Sequence, residues 1–424
     1  MVVIGLFRTE TKMETEWKKV KLGDIATFSN GINFGKESYA KGVKLITVSD
    51  FGDRYFPEYN ELVEVDEKVL RPTDYLQNGD VVFVRSNGNK ELVGRCMLIE
   101  NPAKPVTYSG FCIRARLNNI NENNPQFFTY YFKSRTFRRA MSNTAVGANI
   151  QNLNQGLLSN HELLLPPLAT QQKIAGILSA YDDLIENNRK QIKLLEEAAQ
   201  KLYKEWFVKL NFPCHENVKV VDGVPEGWKN VELNTVLSKI TTRLNPRKNF
   251  VLGKGYNYYV TIKNMGDNNI YFNDKCDKVN DEAPEKINKR SDLQTGDILF
   301  SGIGTIGRVY LVSIPTDNWN VSESVFTFRP NEFISKEFLY LLLLSDDMQA
   351  YCDLNAHGAA QIGIRMADLK AYKFALPDSN LITRFTKIIA PYISKAQCLK
   401  SQTVKLQSAR NKLLPKLMNG DFEK

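Results

Sequence analysis

The most constraining feature of the 424-residue chain is an internal repeat, because one ordered series of segments occurs twice. Trp17 opens WKKVKLGDIATF, and Trp228 opens WKNVELNTVLSK 211 positions later. The segment QFFTYYFKS matches EFLYLLLLS at that same offset, whereas NGDVVF (78–83) matches TGDILF (295–300) at an offset of 217. Changing offsets within a fixed order indicate loop insertions and deletions in a shared fold. We therefore predict two copies of one structural plan.

Each copy opens with a globular module that we predict to be mixed α/β. Short β-branched and aromatic runs bounded by Gly, Asn or Asp predict strands. They are VKLITVSD, GDVVFVR and RCMLIE in the first module, and YNYYVTI, GDILFSG and RVYLVSI in the second. A short apolar helix is predicted near 125–141 and near 336–352. Hydrophobic residues make up 43% of the chain, which is enough for more than one core. The predicted fold class is α+β, with the two modules in tandem.

A long helix is predicted after each module, because apolar positions alternate there in steps of four and three. This is the average spacing of a coiled-coil seam. The seam positions are Ile174, Leu178, Tyr181, Ile185, Asn188, Ile192, Leu195 and Leu202 in the first helix, and Phe385, Ile389, Tyr392, Leu399, Leu406 and Leu413 in the second. Asn188 is a polar seam position of the kind that fixes register. The matching patterns predict that the two helices pair with each other.

The chain is predicted to divide into six segments. They are a lead-in (1–16), a first module (17–167), a central helix (168–208), a linker (209–227), a second module (228–377) and a distal helix (378–424). The lead-in lacks the basic start, long apolar run and cleavage site of a signal peptide, and Met13 is an alternative start. The longest apolar run, Leu339 to Leu344, is too short to span a bilayer. We expect a cytoplasmic protein without membrane contacts.

Residue patterns that carry covalent chemistry are weak in this sequence. The segment Gly302–Gly307 has the form G-x-G-x-x-G, but the β-branched run after it predicts a strand where a dinucleotide site needs a helix. A glycine-rich hairpin loop is the favoured interpretation. The six cysteines are scattered singly and the three histidines lie far apart, so no metal ligands are predicted. The pairs Asp182-Asp183 and Asp346-Asp347 are expected to face solvent on helices. We predict no catalytic residues and no metal site.

The net charge of +9 is compatible with nucleic acid, an acidic membrane surface or an acidic partner. It is unevenly distributed: the first module carries +4, the second +1 and the segment 378–424 carries +6. This distribution argues against one continuous basic groove. A few loop residues in each module would then have to carry any sequence recognition.

An ordered set of motifs resembles the DNA-specificity (S) subunit of type I restriction-modification enzymes. The set comprises W-x-x-V-x-L-x-D from Trp17, then G-D-V-V-F, S-N-G and V-G-R within 79–95, NIQNL from Asn149, and LLLPPLATQQKIAGILSAYDDLIENN. The second copy keeps GDILFSGIGTIGR and LLPKLMNGDF, but it departs from the pattern at 380–384, where the Gln-Gln of the first helix is replaced. The resemblance extends from Trp17 over nearly the whole chain.

The resemblance implies a fold and a set of partners. Each module would be a target-recognition domain, and the two helices would form an antiparallel coiled coil that separates them. The chain would bind a bipartite target in double-stranded DNA, one half-site per module. Two adenine-N6 methyltransferase subunits and ATP-dependent restriction subunits would assemble with it. Those partners would bring the methyl donor and ATP, so the chain itself would need no cofactor.

Candidate DNA contacts are chosen by residue type, because Lys and Arg bind phosphate while Arg, Asn and Gln read base edges. They are Arg54, Arg85, Asn87, Lys90, Arg95 and Gln151 in the first module, and Arg243, Arg247, Lys248, Lys254, Arg308 and Gln361 in the second. Any one of them could equally be a solvated surface charge. Besides the DNA-reading subunit, two alternatives stay open at this point. The second-ranked one is a coiled-coil scaffold that does not read DNA, and the third is an enzyme.

Overall fold

A computed structural model describes residues 17–52, 54–87, 92–143, 153–242, 249–266, 269–272, 276–358 and 361–421. The chain divides into two compact units: unit 1 combines 1–186 with 404–424, and unit 2 comprises 187–403. The division falls inside both long helices, so each unit contains one module and parts of both helices. The bounds of the six segments come from sequence similarity between the two copies. They remain a prediction.

The first module is built from two sheets and a strand pair. Its strands are β1 Lys18–Lys21, β2 Ala26–Asn30, β3 Tyr39–Ile46, β4 Glu64–Val65, β5 Val81–Val84, β6 Cys96–Leu98, β7 Val106–Tyr108, β8 Cys112–Leu117 and β9 Glu162–Leu165. An antiparallel sheet has the order β2-β8-β5-β6, and a second sheet has the order β4-β3-β7 with β3 and β7 parallel. Strands β1 and β9 pair antiparallel, which joins the two ends of the module.

Helices cover one side of the first module's four-stranded sheet. They are α1 Leu22–Ile25, α2 Pro125–Lys133, α3 Arg135–Asn143 and α4 Gln155–Ser159. Helix α2 begins where the Asn124 side chain accepts a hydrogen bond from the Phe127 N–H, as expected of an N-cap residue. Phe83 on the sheet packs edge-on against Phe132 at 4.9 Å between ring centroids, and both are fully buried. Both rings belong to the hydrophobic core of unit 1.

The second module repeats this topology strand for strand. Its strands are β12 Lys229–Glu232, β13 Leu237–Thr241, β14 Asn257–Val260, β17 Asp277–Val279, β18 Ile298–Ser301, β19 Val309–Leu311, β20 Trp319–Val321, β21 Val325–Pro330 and β22 Lys373–Leu376, with small hairpins at β10 Val220–Val221, β11 Val224–Pro225, β15 Met265–Gly266 and β16 Asn269–Ile270. The sheet orders are β13-β21-β18-β19 and β17-β14-β20, again with one parallel pair. Strand β12 pairs with β22. The prediction of two copies of one α+β plan is confirmed.

The second module's helices are α6 Glu282–Ser291, α7 Lys336–Leu343, α8 Asp346–Leu354 and α9 Met366–Lys370. Helix α7 begins at the N-cap Ser335, whose hydroxyl accepts from the Phe338 N–H, and it is buried along its length. This helix occupies the place that α2 has in the first module. None of the helices in the described part of the chain combines the length and apolarity needed to cross a membrane.

The two long helices are α5 Leu168–Tyr203 and α10 Ser379–Met418. In unit 1, Ile174 and Leu178 of α5 share a core with Leu413 and Leu417 of α10. In unit 2, Tyr203 of α5 packs against Phe385 of α10, while further back along α5 Glu196 pairs with Lys400. Residue numbers rise along one helix as they fall along the other, so the antiparallel pairing is confirmed within each unit.

Most predicted seam residues lie on the packed face of their helix, but Tyr392 does not. Its side chain is 39% exposed, whereas the neighbouring Ile393 is buried. The seam therefore runs from Ile389 through Ile393 to Ala396, with a step of four followed by three. The sequence pattern placed this step in the opposite order because Tyr392 and Ile393 are both acceptable in an apolar stripe. Asn188 and Thr403 are buried polar residues on these helices.

Candidate nucleic-acid interface

Each module presents a hairpin loop at one end of its four-stranded sheet. In the second module the loop Gly302–Gly307 connects β18 to β19, which pair antiparallel. The glycines at 304 and 307 have φ of +80° and +86°, which explains why glycine occupies these positions. No helix follows the loop, so a phosphate-binding helix N-terminus is absent from this segment. The prediction of a glycine-rich hairpin loop is confirmed.

A second segment packs onto this loop and carries Gln361. The Gly304 N–H donates to the Ile362 carbonyl at 2.7 Å, and the Ile364 N–H donates to the Gly302 carbonyl at 2.8 Å. The Gln361 side chain is exposed at this double loop. Backbone hydrogen bonds therefore hold an amide side chain, of the type that reads adenine, on a well-supported tip.

Two further candidates of the second module differ in their availability. Lys254 is exposed. The Arg308 guanidinium donates to the backbone carbonyls of Ile262 and Met265, and the Arg308 N–H donates to the Ser301 hydroxyl at 2.8 Å. Arg308 therefore ties the hairpin loop to the turn after β14. Its present contacts are those of a positioning residue.

The equivalent hairpin of the first module connects β5 to β6 and carries Arg85. The Arg85 N–H donates to the Phe111 carbonyl at 2.7 Å, and its guanidinium donates to the Gly110 carbonyl at 3.3 Å. Asn87 and Arg95 belong to the same hairpin and are half-buried. The structure thus places three of the predicted contacts on one hairpin and bonds Arg85 to the turn at 109–111.

A cleft of about 550 Å³ lies beside this turn. Its lining residues are Ile32, Asn33, Phe34, Tyr39, Thr47, Val48, Ser49, Ser109, Gly110 and Phe111, none of which is charged. Tyr39 and Phe111 are 50% and 58% exposed, which is unusual for large aromatic side chains. Sequence reasoning missed this cleft because it searched for cations and amides. An exposed aromatic residue has no sequence signature that separates it from a core one.

Arg54 is the predicted contact that the structure places elsewhere. Its guanidinium pairs with Glu58 at 3.0 Å and with Glu186 of α5 at 3.6 Å, while its backbone carbonyl accepts from Lys133. These contacts fasten the module to α5 within unit 1. Five other candidates lie outside the described residues; they are Lys90, Gln151, Arg243, Arg247 and Lys248.

A buried ion pair supports the hairpin sheet in both modules. The Arg116 guanidinium donates to both carboxylate oxygens of Asp80, at 2.7 and 2.6 Å, and Arg329 does the same to Asp297, at 2.7 and 2.9 Å. These hydrogen bonds raise the pKa of each arginine above its ordinary value. Bidentate pairs of this kind fix geometry as well as adding stability. The repeated Gly-Asp of the two copies was the available sequence signal for it.

Asp182 corrects an expectation drawn from the sequence. It does not face solvent: only 3% of it is exposed, and it accepts hydrogen bonds from the Tyr130 hydroxyl, at 2.6 Å, and from Arg410. Burial, together with the Asp182 charge, raises the pKa of Tyr130. Asp183, Asp346 and Asp347 are exposed, as expected. Among the described residues, no three His, Cys, Asp or Glu side chains cluster as metal ligands.

Comparison with known proteins assigns the family. A family model described as "Type I restriction modification DNA specificity domain" matches residues 14–197 and 225–406, one match for each module. These matches cover most of the chain, so the chain belongs to the family of type I restriction-modification DNA specificity proteins. Nothing in these matches supports the scaffold alternative.

Individual relatives match the chain along its whole length. The type I restriction enzyme MjaIX specificity subunit of Methanocaldococcus jannaschii is 23% identical over 442 residues, covering 100% of this chain and 99% of that protein. The HindI specificity subunit of Haemophilus influenzae is 23% identical over 482 residues, covering 96% and 100%. A crystal structure of the S subunit from M. genitalium superposes with a TM-score of 0.57 at 16% identity, covering 96% of this chain and 98% of that one. This last likeness shows a shared fold.

Proposed function

We propose that the chain is the DNA-reading subunit of a type I restriction-modification complex, with one half-site bound by each module. The observation that carries this proposal is the match of both modules to the DNA specificity family, together with their identical strand order. Two readers of one topology with different loop residues suit a target whose two halves differ in sequence.

The proposal includes a division of labour with partner subunits. Two adenine-N6 methyltransferase subunits and restriction subunits would supply catalysis, the methyl donor and ATP, and the complex would act in the cytoplasm. The chain itself would then be non-catalytic and would need no cofactor. The antiparallel hairpin at Gly302–Gly307 supports this division, because it lacks the strand-to-helix turn of a nucleotide site.

DNA contacts in this proposal come from loops rather than from a basic groove. Arg85 in the first module and Gln361 in the second lie on hydrogen-bonded loop supports, as base readers require, and Asn87 lies on the same hairpin as Arg85. Lys254, together with Arg95, would bind phosphate. Arg54 and Arg308 would act through the loops and helices that they position.

The test is to co-express the chain with a type I methyltransferase subunit in a strain that lacks adenine methylation, and to map N6-methyladenine across the genome. We expect one bipartite motif, two short half-sites separated by a fixed non-specific gap. Cells with the methyltransferase alone are the control and should show none. Methylation at a contiguous site, or no methylation by a pair that co-purifies, would contradict the proposal. A scaffold would give co-purification without DNA retention in a gel shift.

A further inference from the structure

The backbone of Phe111 is fixed by hydrogen bonds in an exposed turn of the first module. It ends the turn between β7 and β8, and 58% of it is exposed. Its carbonyl accepts from the Arg85 N–H at 2.7 Å, and the Cys112 N–H closes the turn onto the Ser109 carbonyl at 2.8 Å. Since these bonds fix the backbone, only the side-chain torsions of the ring have to be ordered when it makes an apolar contact.

Close backbone packing under the turn adds to this rigidity. The Gly110 N–H donates to the Ile32 carbonyl at 2.6 Å, and the Gly31 N–H donates to the Cys112 carbonyl at 3.1 Å. A Cβ atom at Gly31 would collide with the carbonyl oxygens of Tyr108 and Ser109. Two glycines thus let two loops stack on each other, and the side chain of Phe111 is left outside this stack.

The surroundings of Phe111 combine apolar walls with neutral hydrogen-bonding groups and a cation. Phe34, Tyr39 and Val48 line the cleft together with the polar side chains of Asn33 and Ser49. The Arg85 guanidinium donates to the carbonyl of Gly110, the residue before Phe111. A cation bonded to the turn that lines an uncharged cleft complements the phosphate backbone and base edges of DNA.

We propose that Phe111 contacts the 5-methyl group of a thymine in the half-site bound by the first module. This proposal rests on the proposed function. In the major groove thymine presents a methyl group beside the O4 acceptor. The cleft offers an aromatic ring for the methyl and the amide of Asn33 as a donor for O4.

The second module lacks this aromatic reader. The Gly302 N–H donates to the Ser324 carbonyl at 2.9 Å, which repeats the bond between Arg85 and Phe111. The strand pairing agrees, since Val84 pairs with Cys112 and Ser301 with Val325. Ser324 is therefore the structural equivalent of Phe111, and Phe111→Ser converts the first reader to the residue of the second.

The experiment measures DNA affinity of the full-length chain in complex with its methyltransferase partner, by fluorescence anisotropy. The probes are duplexes of the methylated motif in which each thymine in turn is replaced by uracil, which removes only the methyl group. With the wild-type chain, uracil at one position in a single half-site should weaken binding about fourfold, the effect of losing one buried methyl. Phe111→Ser should bind thymine and uracil duplexes equally. Phe111→Leu, which keeps an apolar side chain, should retain at least half of the discrimination.

A matched control comes from the same module. Ile120 is 64% exposed and does not line the cleft, so Ile120→Ser should keep the fourfold preference for thymine. Equal thermal melting of the variants shows that the fold is unchanged. A Phe111→Ser variant that still prefers thymine over uracil fourfold would overturn the proposal. That includes the case in which the substitution lowers the affinity for the thymine and the uracil duplex by the same factor, which is expected of a ring inserted between bases. Failure of the wild-type complex to methylate any bipartite motif would instead overturn the proposed function.

Discussion

The two units pack the same pair of helices with different chemistry. In unit 1, Asp182 of α5 is ion-paired with Arg410 of α10, and their side chains are 4% and 14% exposed. The repeat offset of 211 carries these positions to Ile393 and Ala199, which both belong to the apolar core of unit 2. One copy of the plan therefore has a buried ion pair where the other has aliphatic side chains.

The difference separates contacts that fix the register of the two helices from contacts that mainly add stability. A buried ion pair loses much of its attraction to desolvation, but it strongly disfavours any register in which one charge lacks its partner. Apolar packing stabilises the helix pair without restricting its register. In unit 2 this packing comes from an aromatic cluster of Tyr203, Trp206, Phe207 and Phe385. We infer that unit 1 fixes the register of the helices and that unit 2 contributes more of their packing energy.

Breaking the unit 1 pair should have the largest effect. Arg410→Ala leaves the Asp182 carboxylate buried, with the Tyr130 hydroxyl as its hydrogen-bond donor but no compensating cation, and should lower the free energy of unfolding of unit 1 by about 3–5 kcal/mol. Burial raises the pKa of the Cys112 thiol to about 12, so its alkylation reports opening of unit 1. Alkylation of Cys112, followed by mass spectrometry in increasing urea, measures the change.

A variant that copies unit 2 is the control for that measurement. Combining Tyr130→Phe, Asp182→Ile and Arg410→Ala removes the whole polar group: Ile and Ala are the residues at the equivalent positions 393 and 199, and Phe removes only the Tyr130 hydroxyl. Replacing a buried ion pair by packed apolar groups is often neutral. The triple variant should therefore recover most of the stability lost in Arg410→Ala. A triple variant as unstable as the single one would contradict the comparison.

The ion pair that both modules share should behave alike in both. Asp80→Ala and Asp297→Ala each remove a carboxylate that is 1% exposed and leave an arginine without its bidentate partner. We expect a loss of about 2–3 kcal/mol in either unit. Urea unfolding followed by the buried thiols Cys112 and Cys276 assigns the loss to one unit. Effects differing by more than about twofold would show that the two sheets are not equivalent.

The sequence predicted features that depend on local periodicity and missed those that depend on distant partners. The repeated strands and the long helices have short-range patterns, and both were confirmed. The sequence predicts a surface position for Asp182 because a carboxylate in a helix usually lies there, whereas Tyr130 and Arg410, both far away in the chain, make its burial tolerable. Phe111 was missed for a related reason, since its exposure depends on the stacking of two separate loops.

A smaller effect is expected at the first turn of helix α5. Gln171 is 1% exposed; its side chain accepts from the Asn124 N–H at 2.8 Å and donates to the Pro166 carbonyl at 2.9 Å. The equivalent position in the second copy is Ile382, which is buried in an apolar core. Gln171→Ile should cost unit 1 about 1–2 kcal/mol, because it leaves those backbone groups unpaired. The matched Ile382→Val should cost less than Gln171→Ile in the same urea assay; the reverse order would contradict this account.

The smallest effect concerns acid, and it again separates the modules. Glu64 pairs with Lys44 across β3 and β4 at 3.0 Å, and this hydrogen bond, with one from the Gly42 N–H, lowers the pKa of Glu64 from 4.5 to about 2. The equivalent pair in the second module is Tyr258 with Lys278, where the ammonium lies 5.3 Å from the ring centroid.

Because the pKa of Glu64 is lowered on folding, its stabilising contribution is present above about pH 4.5 and is lost as the pH falls towards 2. The second module's pair has no carboxylate to protonate in this interval. Between pH 5 and pH 3, Glu64→Gln should therefore make the unfolding midpoint of unit 1 less dependent on pH. Lys278→Gln should leave the pH dependence of unit 2 unchanged. Thiol alkylation needs the thiolate and is therefore too slow between pH 5 and pH 3. Unfolding of unit 2 is instead measured by tryptophan fluorescence, and unfolding of unit 1 by amide hydrogen exchange in β3. An unaltered pH dependence in Glu64→Gln would show that solvent screens this partly exposed pair too strongly for it to contribute.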